Sequence, residues 1–226
     1  MKIIAWIFAI GIVLDIIFII SFYKAQYKRV LFFKTLSSLL FLCIGLFCTL
    51  NYQDHFLSWL IAGGLGFGVI GDFFLDADMV FPALQKKSFM LGCGAFFIGH
   101  LFYIARSMII IAESGQWMLV LYALLGCMFG GVIIHQMFKV VFPPADVKVT
   151  GVLYLLVLDL SCFLAMGLWI SGSGSAWMAW GTLLFVISDH MLVYDYFGIK
   201  KIVWFHAVLL ILYYLAQCMI AFSILG

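Results

Sequence analysis

Two stretches that end long apolar runs carry the residue types in this sequence that could do chemistry. Residues 71–78 (GDFFLDAD) contain three aspartates, and residues 188–195 (SDHMLVYD) contain two more in a similar arrangement. The whole chain of 226 residues has only 10 acidic residues. We therefore interpret the two stretches as two halves of one site.

The aspartates of these stretches are suited to acid–base chemistry inside a membrane. Asp72 and Asp76 are four residues apart, so they share one face of a helix. A charged side chain in a bilayer is costly unless it faces an interior cavity and has a partner. We expect both of them, together with Asp15 and Asp189, to point inward. Two carboxylates in a pocket of low dielectric constant cannot both ionise cheaply, so one keeps a proton that it can donate in acid-catalysed hydrolysis.

Composition indicates a polytopic membrane protein. Soluble domains are roughly half apolar and about a quarter charged, whereas this chain is 67% hydrophobic and 10% charged, with a mean hydropathy of +1.23. A net charge of +2 without a dense basic face excludes nucleic acid as a partner. The six cysteines fall inside apolar runs, where we expect them to be small buried hydrophobic residues.

Eight apolar runs are each long enough to cross a bilayer, which takes about 20 residues. The sequence therefore predicts an all-α fold with eight transmembrane helices in a single domain, residues 1–226. The runs are 3–22, 31–50, 56–75, 89–111, 117–140, 149–170, 177–196 and 202–225.

Basic residues predict the orientation of these helices. Every odd-numbered break between runs is basic, and no even-numbered break contains Lys or Arg. Because Lys and Arg favour the cytoplasmic side, we expect both termini outside the cytoplasm, with the aspartates and Lys34 in the cytoplasmic half of what we predict is a bacterial inner membrane. The basic residues are Lys24, Lys28, Arg29, Lys86, Lys87, Lys139, Lys148, Lys200 and Lys201.

The sequence also contains a weak internal repeat. Residues 69–72 (VIGD) match residues 186–189 (VISD), and the leucines and aspartates that follow match as well. Four helices separate the copies, as in parallel repeats about an axis along the membrane normal. Chance matches are frequent among hydrophobic residues, so two four-helix repeats, 1–111 and 117–226, are a hypothesis.

Four motifs in order resemble those of the YhhN-like lysoplasmalogenases. They are GDFFL (71–75), FIGHLFY (97–103), SDHML (188–192) and YYLAQ (213–217). A fifth, FKTL at 33–36, is similar to a Lys-Pro-Leu motif of that family, with Thr35 in place of the proline. The resemblance covers nearly the whole chain and agrees in length and helix number.

The resemblance implies a reaction and roles for particular residues. The implied reaction is hydrolysis of the vinyl ether bond of lysoplasmenyl-ethanolamine or -choline to a fatty aldehyde and the glycerophospho-base. We expect no cofactor. One of Asp72 and Asp189 would protonate the substrate, while the other stabilises the cation and activates water. Lys34 would hold the phosphate or orient the acids, with help from His100 or Tyr103. The other supporting candidates are Asp15, Asp76, His190, Tyr214 and Gln217.

Under this hypothesis the partner is a lysophospholipid within the bilayer. Its apolar chain would lie between helices, and its headgroup would approach from the cytoplasmic side.

Two alternatives stay open. Clustered Asp and His could form a zinc-dependent lipid hydrolase, although H-x-x-x-H and H-E-x-x-H spacings are absent and we predict no metal. Intramembrane carboxylates also serve proton-coupled transporters, which the nearly apolar outer half of the chain disfavours.

Overall fold

The computed structural model describes residues 2–51, 55–81, 83, 85–199 and 204–226. Eight α-helices run in order, connected by short segments. They are α1 (Lys2–Tyr23), α2 (Tyr27–Asn51), α3 (His55–Val80), α4 (Gln85–Ser114), α5 (Met118–Met137), α6 (Ala145–Ile170), α7 (Ala176–Phe197) and α8 (Phe205–Phe222), followed by a 3-10 turn, Ser223–Leu225. The predictions for Lys200, Lys201, the start of the last run at 202 and the side chains of Asp78 and Lys86 fall outside the described residues.

The helices confirm the predicted fold class. The described residues form no strand beyond an isolated bridge between Val141 and Gly198. Seven helices, α2 to α8, are long and apolar enough to cross a membrane. The apolar part of α1 that the structure describes, Ala9–Tyr23, is shorter than the other seven. The protein is an all-α integral membrane protein.

Two helix ends differ from the prediction in a way that matters for the site. The third run was predicted to end at residue 75, but α3 continues to Val80, so Asp76 belongs to the helix and is 4% exposed. The second run was predicted to begin at residue 31, but α2 begins at Tyr27 and contains Lys34 seven residues in. Asp76 and Lys34 form an ion pair, and this pairing lets both helices continue through polar residues.

Six of the helices follow one another around a closed ring. Each of α2, α3, α4, α6, α7 and α8 contacts the next, and α8 returns to α2. Helix α1 packs outside α2, and α5 packs outside α6. In both halves of the chain, therefore, the second helix contacts the fourth helix of the other half. This pattern agrees with the two predicted repeats, which stay a hypothesis.

The interior of the ring is filled mainly by aromatic and branched side chains. Phe41, Leu65, Tyr103 and Phe185 are at most 2% exposed. Large apolar side chains on the outside are exposed instead, most clearly on α5, where Met118 is 74% exposed. A surface this apolar fits lipid rather than water as the solvent.

Helices α3 and α4 approach closely at a glycine contact, as the glycines of the third run predicted. A Cβ atom added at Gly64 would lie 2.9 Å from the carbonyl oxygen of Gly99 and would overlap the ring of Tyr103. The backbone of α4 cannot yield as a flexible side chain could. By contrast, a Cβ atom at Gly66, on the same helix, would meet no atom within 4 Å.

We expect Gly64→Ala to lower the free energy of unfolding by about 1–3 kcal/mol, the usual cost of overpacking a core. Thermal unfolding of the purified protein in detergent measures the change, and Gly66→Ala is the matched control. Equal melting temperatures for the two variants would show that the backbones of α3 and α4 are not in close contact at Gly64.

Candidate active site

The two aspartates of the sequence motifs meet in the middle of the ring. Asp72 lies eight residues before the last residue of α3, Val80, and Asp189 lies eight residues before the last residue of α7, Phe197. Both line one central cavity of about 20 Å³. That volume is enough for about one water molecule. Asp72 is 2% exposed and Asp189 is 5% exposed, so both carboxyl groups are buried.

Asp72 is surrounded by groups that stabilise a carboxylate. Its Oδ2 accepts hydrogen bonds from Ser38 Oγ and from the Tyr213 hydroxyl, each at 2.6 Å. The ammonium of Lys34 lies 3.7 Å from its Oδ1. Two donors on one oxygen and a cation beside the other match the needs of the ionised form.

Lys34 connects Asp72 to the third aspartate of the motif. Its Nζ donates to Asp76 Oδ1 at 2.9 Å, and its side chain is only 8% exposed. Because one ammonium serves two carboxylates, the group of three carries a net negative charge when all are ionised. A buried cation and its partners depend strongly on one another, since either left alone would be an uncompensated charge.

Asp189 has different surroundings. Its Oδ2 accepts a short hydrogen bond from the Tyr154 hydroxyl of α6. Its Oδ1 lies 3.4 Å from Ser188 Oγ, but that hydroxyl has a single proton and a shorter bond, 2.8 Å, to the carbonyl of Phe185. No described ion pair within 4 Å involves Asp189. The two carboxyl groups therefore share a cavity but differ in the support for a negative charge.

Two further predicted residues contact the groups that surround Asp72. Gln217 Nε2 donates to the Tyr213 hydroxyl at 2.9 Å, which in turn donates to Asp72. The Tyr214 hydroxyl donates to the carbonyl oxygen of Lys34 at 3.4 Å and lies 3.5 Å from Ser38 Oγ. Tyr213, Tyr214 and Gln217 thus join α8 to the hydrogen-bond network of α2 and α3.

Four predicted residues lie away from the central cavity. His100 is 1% exposed and packs edge-on against Phe185, 4.6 Å between ring centroids, and against Tyr103. Neither His100 nor Tyr103 lines the cavity. His190 Nδ1 is 2.8 Å from the carbonyl of Val186, on its own helix. The fourth, Asp15, lines a different cavity beside α1.

The structure adds three candidate residues that the sequence reasoning did not single out: Ser38, Tyr154 and Tyr213. Tyr213 belongs to the YYLAQ motif, so a signal for it existed. Ser38 follows Lys34 by four residues, on the same face of α2, which was a usable signal as well. Tyr154 lies 35 residues from Asp189, and no local spacing connects the two.

The described part of the chain contains no group of three or more His, Cys, Asp or Glu side chains positioned to hold a metal ion. The candidate site consists instead of two carboxyl groups, one lysine with its second carboxylate, and hydroxyl donors. This arrangement can donate a proton, accept a proton and stabilise a positive charge within one small cavity.

The fold and the site define a polytopic membrane protein with paired aspartates from two helices in its core. A family model described as the YhhN family matches residues 30–224, and the chain belongs to this family. The match includes every predicted site residue except Asp15. No curated protein and no solved structure matches the chain.

Proposed function

We propose that this protein hydrolyses the vinyl ether bond of lysoplasmenyl-ethanolamine or -choline, releasing a fatty aldehyde and the glycerophospho-base. The observation that carries the proposal is the pair Asp72 and Asp189, which line one buried cavity in unequal surroundings. Vinyl ethers hydrolyse through protonation at carbon followed by addition of water. That sequence needs a protonated acid, a carboxylate and one water molecule at the same place.

In the proposed mechanism Asp189 is the acid and Asp72 is the carboxylate. The difference in their surroundings supports this division, because the Lys34 ammonium and two hydroxyl donors favour charge on Asp72. Asp189 donates its proton to the vinyl carbon remote from the ether oxygen, and the electron pair of the double bond forms the new C–H bond. The resulting oxocarbenium ion is stabilised by the Asp72 carboxylate across the cavity.

The second half of the mechanism returns both carboxyl groups to their starting states. Water adds to the oxocarbenium carbon and gives a proton to Asp72, forming a hemiacetal. The bond from that carbon to the glycerol oxygen then breaks as this oxygen takes the proton from Asp72. Asp189 recovers a proton from the hemiacetal hydroxyl, and the aldehyde is released. The sum is one vinyl ether and one water converted to one aldehyde and one alcohol.

The orientation of the helices belongs to the same proposal. Lys24, Lys28, Arg29, Lys87, Lys139 and Lys148 lie in or beside the first, third and fifth connections or at adjoining helix ends. Short connections make consecutive helices antiparallel, so these residues share one side, which the positive-inside rule assigns to the cytoplasm. We therefore place both termini outside the cytoplasm of a bacterial inner membrane, with the site and the substrate headgroup towards the cytoplasmic side.

The test is aldehyde release from lysoplasmenyl-ethanolamine by the purified protein in detergent. We expect release with or without a chelator, and none of the corresponding fatty acid from the matching acyl lysophospholipid. In D2O the aldehyde should carry one deuterium on the carbon next to the carbonyl, because the acid delivers solvent hydrogen to that carbon. Mass spectrometry of the trapped aldehyde measures the incorporation.

Three results would contradict the proposal in different ways. An aldehyde without deuterium would exclude protonation at carbon. Release that stops on chelation would favour the zinc-dependent alternative. If protein shown to be folded does not hydrolyse the vinyl ether, it is not a hydrolase of this bond. Proton-coupled transport would then become the function to test.

A further inference from the structure

A second cavity continues from Asp189 towards the start of α6 and the end of α7. It lies between α4, α6 and α7, where Phe89, Tyr154 and Val193 belong to its lining, and its volume is about 30 Å³. Asp189 and Leu192 line both this cavity and the central cavity. We call it the α6–α7 pocket. Asp189 therefore stands where the two cavities meet.

The other end of the α6–α7 pocket carries a lysine. Lys148, in the first turn of α6, lines the pocket beside Phe138 and Phe197. Its side chain is exposed, and its ammonium lies 4.7 Å from the centroid of the Phe138 ring. None of the ion pairs within 4 Å in the described part of the chain involves Lys148. Its charge is therefore available to an anionic ligand at the mouth of the pocket.

Lys34, the lysine that the sequence suggested for a phosphate, is already committed to carboxylates. Its ammonium lies 2.9 Å from Asp76 Oδ1 and 3.7 Å from Asp72 Oδ1, and its side chain is 8% exposed. A phosphate beside it would meet two carboxylates of the same sign, and this repulsion is strong where the dielectric constant is low. Among the described residues that line the two cavities, Lys148 is the other lysine, and no arginine is present.

The spacing between Lys148 and the acid suits a glycerol backbone. Lys148 and Tyr154 are six residues apart on α6, a rise of about 9 Å, and the Tyr154 hydroxyl donates to Asp189. The glycerol backbone of a lysophospholipid, with one hydrogen-bond length to the ammonium, spans a similar distance. Midway between the two residues, a Cβ atom at Gly151 would meet no atom within 4 Å, so the space there is open. Because the pocket holds about one water molecule, it admits a chain of methylene width, while a phosphate stays at its mouth.

We infer that the α6–α7 pocket holds the glycerol backbone of the lysolipid and that Lys148 binds its phosphate. This inference rests on the proposed function for the class of lipid. It leaves the vinyl ether at the central cavity, between Asp189 and Asp72, and makes Lys148 a residue that determines specificity. A single-chain ether lipid without a phosphate would lose the contact with Lys148 and bind more weakly.

The first test compares two probes that the protein cannot hydrolyse. A saturated 1-O-hexadecyl lysophosphoethanolamine has no vinyl carbon to protonate, and 1-O-hexadecylglycerol also lacks the phosphate. We expect the wild type in neutral detergent to bind the phosphate probe about tenfold more tightly. Lys148→Met should reduce this preference to about twofold, and Lys148→Arg should keep most of it. Native mass spectrometry gives the affinities.

Lys139→Met is the matched control, because Lys139 is exposed next to Phe138 but does not line the pocket. It should keep the tenfold preference. A wild type that binds both probes equally, or a Lys148→Met variant that keeps the preference, would overturn the inference. Equal losses in Lys148→Met and Lys139→Met would also overturn it, since they would indicate a general effect of surface charge. Absence of vinyl ether turnover with the preference intact would overturn the proposed function and leave the phosphate site standing.

Kinetics with the vinyl ether substrate separate binding from chemistry. Lys148 lies at the mouth of the pocket and not at the reacting carbon, so Lys148→Met should raise KM about tenfold and leave kcat within about twofold. A fall in kcat with an unchanged KM would overturn the assignment of Lys148 to the phosphate.

Gly151→Leu tests the position of the glycerol backbone without changing a charge. The open space at Gly151 accepts the larger side chain, which would then occupy the pocket between Lys148 and Tyr154. Both probes should bind about tenfold more weakly, because both carry the glycerol backbone. Gly131→Leu, on α5 with open space around it, is the matched control and should leave both affinities unchanged. Unchanged affinities in Gly151→Leu would place the glycerol backbone elsewhere and overturn the inference.

Discussion

Asp72→Asn and Asp189→Asn are each expected to reduce aldehyde release by about 100- to 10,000-fold, the range that a positioned general acid or base contributes. Asparagine keeps the size of the side chain and can still accept hydrogen bonds from Tyr213 or Tyr154. It can neither deliver the proton nor take one up. The loss should therefore fall on the chemical step rather than on folding.

Aldehyde release per mole of protein, with the melting temperature as a check on folding, measures both effects. Asp159→Asn is the matched control, because Asp159 is 4% exposed, lies on α6 outside the central cavity, and has an Oδ2 atom without a partner among the described residues. That variant should keep its activity. If both Asp72→Asn and Asp189→Asn kept their turnover, the catalytic role proposed for the aspartate pair would be wrong.

Lys34→Met is expected to have the largest effect on stability. Methionine fills a similar volume but leaves Asp72 and Asp76 buried without the ammonium that now lies 3.7 Å and 2.9 Å from them. Breaking a buried ion pair on one side costs about 3–5 kcal/mol. Activity should fall as well, because Asp72 would then take up a proton and lose the charge that stabilises the oxocarbenium ion.

A double variant separates the loss of the pair from the loss of packing. Lys34→Met combined with Asp76→Asn removes one of the two uncompensated carboxylates, so it should recover a large part of the lost stability. Lys139→Met, at an exposed position near the end of α5, is the control and should change the free energy of unfolding by less than about 0.5 kcal/mol. A double variant no more stable than Lys34→Met would mean that the ion pair is not what stabilises this part of the structure.

The carboxylates of the site could be predicted because charge is rare in this chain. In a sequence that is 10% charged, aspartates at the ends of apolar runs must find partners inside the protein. This argument identified Asp72, Asp189, Lys34 and Asp76 correctly as buried polar residues. The helix bounds were less predictable, since hydropathy alone ended the third run before Asp76 although α3 continues to Val80.

The two histidines among the candidates do not line the central cavity. His100 was predicted to support the aspartates, and its ring packs against Phe185 of α7. His190 was a possible partner of the aspartates, although consecutive helix residues point about 100° apart, which favoured a packing role for it. Its ring instead contacts the carbonyl of Val186.

The sequence by itself determined that the chain lies in a membrane and which of its runs form membrane-crossing helices. This was possible because hydropathy and charge can be evaluated for each run separately. What only the tertiary structure decided is the identity of the hydroxyl donors and the arrangement of the cavities. Tyr154 reaches Asp189 across 35 residues, and Tyr213 reaches Asp72 across 141. Such contacts depend on the rotation of each helix about its axis, which is set by packing against the neighbouring helices and has no signature in the apolar sequence of either one.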